Sequence, residues 1–516
     1  AEGGQEALVN THVENTQNTS SIAGLKDGGY VVTWQSDYQD GDTDNVYNVY
    51  GQRYGASGDA LGGEFLVNTA TSGQQYYSSV TGLESGGFFI TWYDTSGADN
   101  PAGGSSHDVF GQLYNAAGDT VGSEIRVNTH TGNVQEDPSV TSLSDGGFVV
   151  TWESKSQDGD GNFYNIYGQR YDAVGAAQGD EFLVNVDRTI NDQYKPSVTG
   201  LEGGGFVVSW WDEATNSRSV ELGSGFDNSE GAIFAQKFTT SSVDTPVADG
   251  SLFQVNSHTS RVQTEPSVTS LKDGGFVVTW KSEYQDGDAD NVYNIYGQRY
   301  DQNGTALDAP GTDPAKGEFL VNSYTSGQQY DPSVTGLTGG GFVVTWSDDG
   351  SHDGGTGTDV YGQIYDASGN KVGGELRIND ETYSTQYQSA VTALEDGGFA
   401  VSWTSRYQDD PGSSDYGIYT KQFNSDGTSS GAKLTGTAGV VDETVVLADN
   451  QIGIDVDLGD GSDSLTLGDY RDTLTVANVE TVNLGGGNDF VQIGGSGYAS
   501  VYGGQGNDDI YGGAGD

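Results

Sequence analysis

Short stretches of apolar residues, four to seven residues long, recur along the whole chain and are separated by Gly, Asp and Asn. They are rich in Val, Ile, Phe, Tyr and Thr, and this length and composition are typical of β-strands. No window sustains the 3.6-residue apolar spacing of an amphipathic helix. The pattern therefore predicts an all-β chain with almost no helix.

The most regular of these stretches ends in tryptophan. Each copy reads Gly-Gly, an aromatic residue, two apolar residues, Thr or Ser, and then Trp. The seven copies end at Trp34, Trp92, Trp152, Trp210, Trp280, Trp346 and Trp403, at spacings of 57 to 70 residues. Ser-Val-Thr-Gly-Leu precedes several copies, and Tyr-Gly-Gln-Arg-Tyr and Glu-Phe-Leu-Val-Asn follow them. Four strands per unit, repeated seven times, predict a seven-bladed β-propeller over residues 1–436.

The order of these elements offers two ways to complete the last blade. A variant of the Glu-Phe-Leu-Val-Asn element, Glu6 to Asn10, occurs before any complete unit, so that an N-terminal strand can close the ring. Lys433 to Gly436 lies where the outer strand of the last unit would otherwise fall. We favour closure by the N-terminal strand, and the sequence leaves the other route open.

Three side-chain series recur within the units. We interpret the seven tryptophans as packing between blades rather than as platforms for sugars. Arg53, Arg170 and Arg299 are expected to pair with nearby carboxylates. The third-strand glutamines are expected to hydrogen-bond between blades; they are Gln52, Gln112, Gln169, Gln236, Gln298 and Gln363.

A shorter period replaces the long one after about Thr437. Glycine pairs recur nine residues apart, and the clearest copy runs from Gly503 to Tyr511. This copy matches the G-G-x-G-x-D-x-U-x nonapeptide of calcium-binding parallel β-rolls. Carbonyl and carboxylate oxygens are hard ligands that suit Ca²⁺. We expect a β-roll over residues 437–516, truncated because the chain stops at Asp516 within a copy. Its candidate ligands are Asp463, Gly485, Gly487, Asp489, Gly504, Gly506 and Asp508.

The C-terminal repeats resemble the repeats-in-toxin (RTX) family, whose members carry haemolysin-type calcium-binding repeats. The seven preceding units resemble the propeller-like repeats of large RTX-type surface proteins of Gram-negative bacteria. This resemblance implies a secreted, extracellular protein of the cell surface, exported by a type I system. It also implies that extracellular Ca²⁺ triggers folding of the repeats.

Composition and charge exclude several classes of partner and of chemistry. The chain has 20 basic and 74 acidic residues, and its net charge of −54 argues against nucleic acid and anionic membranes as partners. It has no Cys, which removes disulfides, thiolate metal sites and thiol nucleophiles. No apolar run is long enough for a membrane-spanning helix, so membrane insertion is not expected.

Loops after three of the Trp strands carry oxygen ligands at alternate positions. Alternating Asp residues can surround one cation, as in the first half of an EF-hand loop, so these loops are candidate Ca²⁺ sites. Asp, Asn and Gly also form polar turns without any metal, and the sequence leaves that alternative open. The candidate ligands are Asp40, Asp42, Asp44, Asp158, Asp160, Asn162, Asp286, Asp288 and Asp290.

These observations favour a secreted calcium-binding structural or adhesive protein, in which Ca²⁺ orders the roll and the propeller loops and mediates self-assembly. No Ser-His-Asp signature or phosphate-binding loop occurs, so we expect no enzymatic activity and no catalytic residues. One alternative is a carbohydrate-binding, lectin-like propeller that recognises a surface glycan through exposed aromatics. The other is a polysaccharide-acting enzyme with its site near Asp212 and Glu213.

Overall fold

The structure is a computed structural model. It describes residues 6–39, 46–96, 107–157, 159, 163–186, 191–213, 231–240, 245–258, 261–283, 285, 292–308, 317–350, 357–382, 384–406, 408, 415–429, 433–435, 444–446, 452–457, 464–466, 473–477, 479, 481–484, 490–494, 500–504 and 509–511. This part of the chain contains strands and no helix, and therefore no helix long and apolar enough to span a membrane.

Seven antiparallel sheets in the described residues form the blades of a β-propeller. Blades are numbered in chain order, and each has an inner, a second, a third and an outer strand. The inner strands are Gln17–Gly24, Gln75–Gly82, Gln135–Ser142, Asp192–Gly200, Gln263–Ser270, Gln329–Gly336 and Gln386–Ala393. The second strands are Tyr30–Asp37, Phe88–Asp94, Phe148–Lys155, Phe206–Glu213, Phe276–Glu283, Phe342–Asp348 and Phe399–Arg406.

The third strands follow at Tyr47–Tyr54, Asp108–Tyr114, Tyr164–Tyr171, Ala232–Thr239, Tyr293–Tyr300, Asp359–Tyr365 and Tyr416–Phe423. The outer strands of blades 1 to 6 are Ala60–Leu66, Thr120–Arg126, Ala177–Leu183, the pair Val247–Ala248 and Phe253–Gln254, the pair Ala306–Leu307 and Phe319–Leu320, and Lys371–Arg377. The predicted all-β, seven-bladed architecture is confirmed.

The ring closes through the N-terminus of the chain. Ala7–Leu8 is the outer strand of blade 7, and it pairs with the third strand of that blade. Just beyond it, the Val9 amide donates to the Ile418 carbonyl at 2.7 Å. The inner strands contact one another in sequence, and the first also contacts the last. The favoured N-terminal closure is thus confirmed, while Lys433–Thr435 pairs in parallel with Ile452–Asp457 instead.

The seven repeat tryptophans lie between blades, as predicted, and all are fully buried. Trp92 of blade 2, for example, packs with Val31 and Val49 of blade 1. Trp34 of blade 1 packs with Ile418 of blade 7, across the closure of the ring. Replacing a buried aromatic of this size by Ala typically costs about 3–5 kcal/mol. The Trp series is therefore the main apolar contribution to blade packing, and these rings are not available to a ligand.

Hydroxyl groups join the inner strands around the ring. Ser21 accepts a hydrogen bond from the backbone amide of Val80 in the next blade at 3.2 Å. The same bond recurs at five further joints, with distances of 3.1–3.3 Å. At the seam between blades 7 and 1 the equivalent residue is Ala390, which has no hydroxyl. The Ser20 and Ser402 hydroxyls, 2.9 Å apart, bond across that seam, and equivalent hydroxyl pairs join blades 1 and 2 and blades 6 and 7.

A buried asparagine holds the segment that leaves each outer strand. In blade 1, Asn68 accepts from the Val49 amide at 2.8 Å and donates to the Asn48 side chain at 2.6 Å and the Ala70 carbonyl at 2.9 Å. Beside it, the backbone amide of Thr69 donates to Glu124 of blade 2 at 3.0 Å. Charged and amide groups thus fix the path from one blade to the next.

The arginine prediction is confirmed and the glutamine prediction is wrong. Arg53, Arg170 and Arg299 form ion pairs with Asp27, Asp145 and Asp273 respectively. Gln52 donates within its own blade, to the carbonyls of Arg53 at 2.8 Å and Gly62 at 3.4 Å. The outer strand shifts register opposite Gln52, and this irregularity leaves a carbonyl that the amide can reach. The five other glutamines make the same bond to the following residue.

The chain divides into two compact units, Leu8–Gly55 with Ala60–Thr420, and Ala1–Ala7 and Ala56–Asp59 with Lys421–Asp516. In the second unit, successive strands alternate between two sheets, and all pairings in these sheets are parallel. One sheet contains Lys433–Thr435, Ile452–Asp457, Thr473–Ala477, Phe490–Gly494 and Asp509–Tyr511. The other contains Thr444–Val446, Ser464–Thr466, Thr481–Asn483 and Ser500–Tyr502.

Candidate functional site

Every inner strand bulges at the same place, two residues before its inter-blade Ser or Ala. Two residues lie within each bulge, and the first of them has a left-handed backbone, with φ between 49° and 57°. These residues, here called the channel ring, are Thr19, Tyr77, Asp137, Lys195, Glu265, Asp331 and Gln388.

A left-handed conformation costs an L-residue roughly 1–2 kcal/mol, and glycine would avoid that cost. The chain contains 81 glycines, yet none occupies a channel-ring position. Backbone strain of this kind clusters at sites where the side chain has a task. The repeated strain therefore marks the channel ring as the candidate functional site.

The channel ring surrounds a cavity of about 330 Å³ at the centre of the propeller. Small-molecule sites begin at roughly this volume. The cavity wall is completed by the residues that follow the ring positions, which are Ser20, Ser78, Pro138, Ser139, Pro196, Ser197, Pro266, Ser267, Pro332, Ser333 and Ser389. All seven blades thus contribute residues to one central cavity that is open to solvent.

One side of the cavity carries an ion pair beside an aromatic ring. The Lys195 Nζ lies 2.8 Å from the Asp137 carboxylate and 5.0 Å from the centre of the Tyr77 ring. Tyr77 is 39% exposed and stacks on Tyr93, with ring centres 6.0 Å apart. Burial opposes the charge on Lys195, but Asp137 outweighs it and raises the lysine pKa. Lys195 is consequently a fixed cation whose charge Asp137 already neutralises.

The other side carries two carboxyl groups with different surroundings. Glu265 forms an ion pair with Lys281, and its second oxygen accepts from the Asp331 backbone amide at 3.0 Å. The Asp331 carboxylate forms no hydrogen bond or ion pair with another described residue. Burial, and then the charge of Glu265, raise the pKa of Asp331 to about 7, with Lys281 and Lys195 opposing the shift. This is the arrangement in which one acid stays protonated beside an ionised one.

The pairing of Glu265 with Lys281 has a structural cause in the repeat. In blades 1, 3 and 6 the residue after the buried Trp accepts a hydrogen bond from the backbone amide of the next channel-ring residue. Gln35 bonds Tyr77 at 3.1 Å and Glu153 bonds Lys195 at 2.6 Å. Lys281 holds this position in blade 5 and has no acceptor. Glu265 supplies the acceptor instead, which brings its carboxylate next to Asp331.

Half-buried tyrosines accompany the channel ring. A tyrosine directly precedes the ring residue in four blades, at Tyr76, Tyr194, Tyr330 and Tyr387. Tyr194 contacts Trp211 with ring centres 5.4 Å apart, and Tyr387 contacts Tyr416 at 6.0 Å. Aromatic groups of this kind provide rigid apolar surface beside polar acceptors.

Most of the predicted metal ligands lie outside the described residues. These are Asp40, Asp42, Asp44, Asp158, Asp160, Asn162, Asp286, Asp288, Asp290, Asp463, Gly485, Gly487, Asp489, Gly506 and Asp508. Gly504 is described, and it is an exposed residue with φ of 76°. Within the ranges given above, no three His, Cys, Asp or Glu side chains are grouped so that they could hold a metal ion.

The described residues next to the three acidic loops do share one contact. The glutamine before the first loop Asp donates to the glutamate of the outer strand in the same blade. Gln157 bonds Glu181 at 2.8 Å and Gln285 bonds Glu318 at 2.5 Å, and Gln39 bonds Glu64 in the same way. The start of each loop is therefore anchored to its blade.

The acids that line the cavity are not those singled out from the sequence. Asp212 is 1% exposed and accepts from the Asn191 side chain at 3.0 Å, and neither it nor Glu213 lines the cavity. The available signal was a variable residue before a constant Pro-Ser-Val-Thr stretch, as at Asp137 and Glu265. Its meaning depends on ring closure, which brings distant repeats together.

No protein-family model matches the chain, and no curated protein is similar to it in sequence. Solved structures do share its fold. An α-L-arabinofuranosidase of Fusarium graminearum, in complex with arabinobiose, has 11% identity and a TM-score of 0.41, covering 81% of this chain and 97% of that one. An α-L-arabinanase of Penicillium chrysogenum has 12% identity and a TM-score of 0.41 over the same shares, 81% and 97%. A sialidase of Streptococcus pneumoniae has 10% identity and a TM-score of 0.42, covering 81% and 70%.

At these identities the likeness concerns the fold alone. The prediction that the chain is not an enzyme is nevertheless corrected. The solved structures that it is similar to include an arabinofuranosidase, an arabinanase and a sialidase. The prediction had rested on the absence of a local sequence motif, and a site assembled from seven separate repeats leaves no such motif.

Proposed function

We propose that the protein is a glycan-binding propeller and that the cavity within the channel ring is its binding site. The observation that carries this proposal is the retention of seven side chains at strained backbone positions around one cavity of about 330 Å³. A cavity with a few fixed polar groups and an aromatic wall is the usual form of a small-molecule site.

The groups around the cavity match the chemistry of a sugar. Hydroxyl groups can donate to the carboxylates of Glu265 and Asp331 and accept from Lys195, and hydrogen bonds to charged partners contribute about 1.5–3 kcal/mol each. The exposed part of Tyr77, supported by Tyr93, offers apolar contact to the C–H groups of a ring. The inter-blade hydrogen bonds of Ser139 and its equivalents hold these groups in place before binding, which lowers the entropic cost of association.

A glycan array followed by calorimetry tests this proposal. We expect the tightest array ligand to lose about tenfold or more in affinity on Tyr77→Ala, because the aromatic wall and the support of Lys195 are both removed. Tyr502→Ala is the matched control, since Tyr502 is 60% exposed and belongs to the other unit. Array binding by no glycan, or equal affinity of the wild type and Tyr77→Ala, would exclude the channel as a glycan site.

A second candidate function is glycoside hydrolysis, which the pKa of Asp331 favours. A carboxyl group with a pKa of about 7 can donate a proton to a leaving oxygen, while the ionised Glu265 serves as base or nucleophile. Release of reducing ends from a bound polysaccharide is the assay. Asp331→Asn and Glu265→Gln should each abolish release while the glycan still binds. Unchanged release by both variants would remove this candidate.

We also propose that Ca²⁺ orders the acidic loops and the C-terminal repeats, and that the protein is an exported component of the cell surface whose copies associate. The net charge of −54 supports a need for cations, because uncompensated like charge loosens a fold. The glycine-rich nonapeptides fall between short parallel strands that alternate between two sheets, which supports a calcium-binding β-roll. The RTX resemblance supports the location and the export route.

A further inference from the structure

The ionisable groups that line the cavity differ in whether they have an ion-pair partner. Four channel-ring residues carry charge, and Lys195 is the only cation among the residues that line the cavity. Asp137 neutralises Lys195 at 2.8 Å. Lys281, which is not among the residues that line the cavity, neutralises Glu265. Of the three carboxyl groups in the wall, only that of Asp331 has no hydrogen-bond or ion-pair partner in the described residues.

We infer that the channel selects glycans that carry a free primary amine, and that Asp331 receives the ammonium group. This inference rests on the proposed function, and it names the substrate class of the same site. A sugar ammonium placed against Asp331 would form the ion pair that the protein does not supply. A charge-assisted hydrogen bond of this kind is about twice as strong as a neutral one.

Anionic sugars fit the same cavity poorly. A uronic or sialic acid needs a cationic partner, and no arginine lines the cavity. Lys195 could serve only by giving up Asp137, which would leave that carboxylate uncompensated inside the channel. Glu265 and Asp331 would also repel a bound carboxylate. The charge arrangement therefore favours cationic over neutral glycans, and neutral over anionic ones.

The surroundings of Asp331 predict that binding is coupled to its ionisation. Glu265 and Lys281 face it from blade 5, Lys195 from blade 4, and Tyr387 from blade 7. Burial and Glu265 together favour the neutral acid, whereas a bound ammonium favours the carboxylate. Binding of an amine-bearing glycan near pH 6.5 therefore releases a proton from Asp331.

Calorimetry of the full chain with three tetrasaccharides tests the inference. The probes are the tetramers of glucosamine, N-acetylglucosamine and galacturonic acid, in 150 mM salt with Ca²⁺ present to screen the overall charge. At pH 6.5 we expect the glucosamine tetramer to bind about tenfold or more tightly than the acetylated one, and the galacturonate tetramer to bind most weakly.

The variant Asp331→Asn separates a specific contact from general attraction to an acidic protein. It should reduce the amine preference, measured as the ratio of the affinities for the glucosamine and acetylated tetramers, to less than about threefold. Asp180→Asn is the control, because Asp180 is exposed on the outer strand of blade 3 and should leave the preference unchanged. An amine preference that survives Asp331→Asn would overturn the inference.

The pH dependence supplies a second readout. Between pH 5.5 and 7.0 the ionised fraction of a group with a pKa near 7 rises about 15-fold, and affinity for the glucosamine tetramer should rise with it once it is corrected for the falling fraction of protonated sugar amine. The same rise should be absent in Asp331→Asn. Equal affinity for the amine-bearing and acetylated tetramers would overturn the inference but leave the proposed function standing. Failure of all three tetramers and of every glycan on the array would overturn the proposed function itself.

Discussion

Replacing Asp331 by Asn should stabilise the protein, and the gain should be larger at pH 8 than at pH 5. In the folded chain, burial and the neighbouring Glu265 raise the pKa of Asp331 from 3.8 to about 7. A group whose pKa is raised by folding contributes its stability in full below pH 3.8, and that stability is lost as the pH rises through 7. At pH 8 the ionised carboxylate therefore opposes folding, and the neutral amide of Asn does not.

The size of the effect follows from the shift. Each pKa unit corresponds to about 1.4 kcal/mol, so a shift of roughly three units sets an upper limit of about 4 kcal/mol. Asp331 lines a water-accessible cavity and lies near Lys281, and both reduce the cost of its charge. We therefore expect a gain of about 1–2 kcal/mol at pH 8 and a smaller gain at pH 5, where the folded carboxyl is protonated but the unfolded one is already ionised.

Thermal unfolding followed by near-ultraviolet circular dichroism measures this difference, because the buried tryptophans report on blade packing. The wild type and Asp331→Asn are compared at pH 5 and pH 8 in Ca²⁺. The control is Asp366→Asn, because turn hydrogen bonds from Asn370 and Ser368 lower the pKa of Asp366 instead. Asp366→Asn should not raise the melting temperature at either pH. If Asp331→Asn is no more stable than the wild type at pH 8, then burial and Glu265 do not destabilise the ionised Asp331 carboxylate.

Three further outcomes are expected. Ala390→Ser should stabilise the seam between blades 7 and 1 by about 0.5–1 kcal/mol, because it adds the hydroxyl that is present at the other joints. Thermal unfolding measures this gain, and a loss of stability would contradict the prediction. Asn68→Ala should cost about 2–4 kcal/mol, because it removes the acceptor of the Val49 amide and a donor to the Asn48 side chain. The exposed Asn303→Ala should change stability by less than about 1 kcal/mol. Chelation with EDTA should lower the melting temperature and alter the association state measured by light scattering, and unchanged values for both would refute the calcium proposal.

The propeller could be predicted from sequence because its determinants are local and repeated. The glycine pair, the apolar stretch and the terminal Trp fix a strand register in each unit, and burial of Trp34 and its six equivalents follows from that register. The early copy of the outer-strand element, Glu6 to Asn10, predicted the closure of the ring. These features need no knowledge of contacts between distant units.

The channel site could not be predicted in the same way. Asp137, Lys195, Glu265 and Asp331 are separated by 58 to 70 residues in sequence, and they meet only because the ring closes. The pKa of Asp331 depends on burial and on an acceptor displaced by Lys281, which are properties of the assembled cavity. The glutamine prediction failed for a different reason, since the glycine that recurs in the outer strand, as at Gly62, marks the irregularity that Gln52 contacts and was not used.

The central claim, that the channel ring is a glycan-binding site, is tested most directly by a crystal structure of the protein with its tightest array ligand bound. The account predicts a sugar within the central cavity, in contact with Tyr77 and with a polar group within hydrogen-bond distance of Asp331. An empty channel with the sugar bound on the outer loops or on the C-terminal repeats would contradict it.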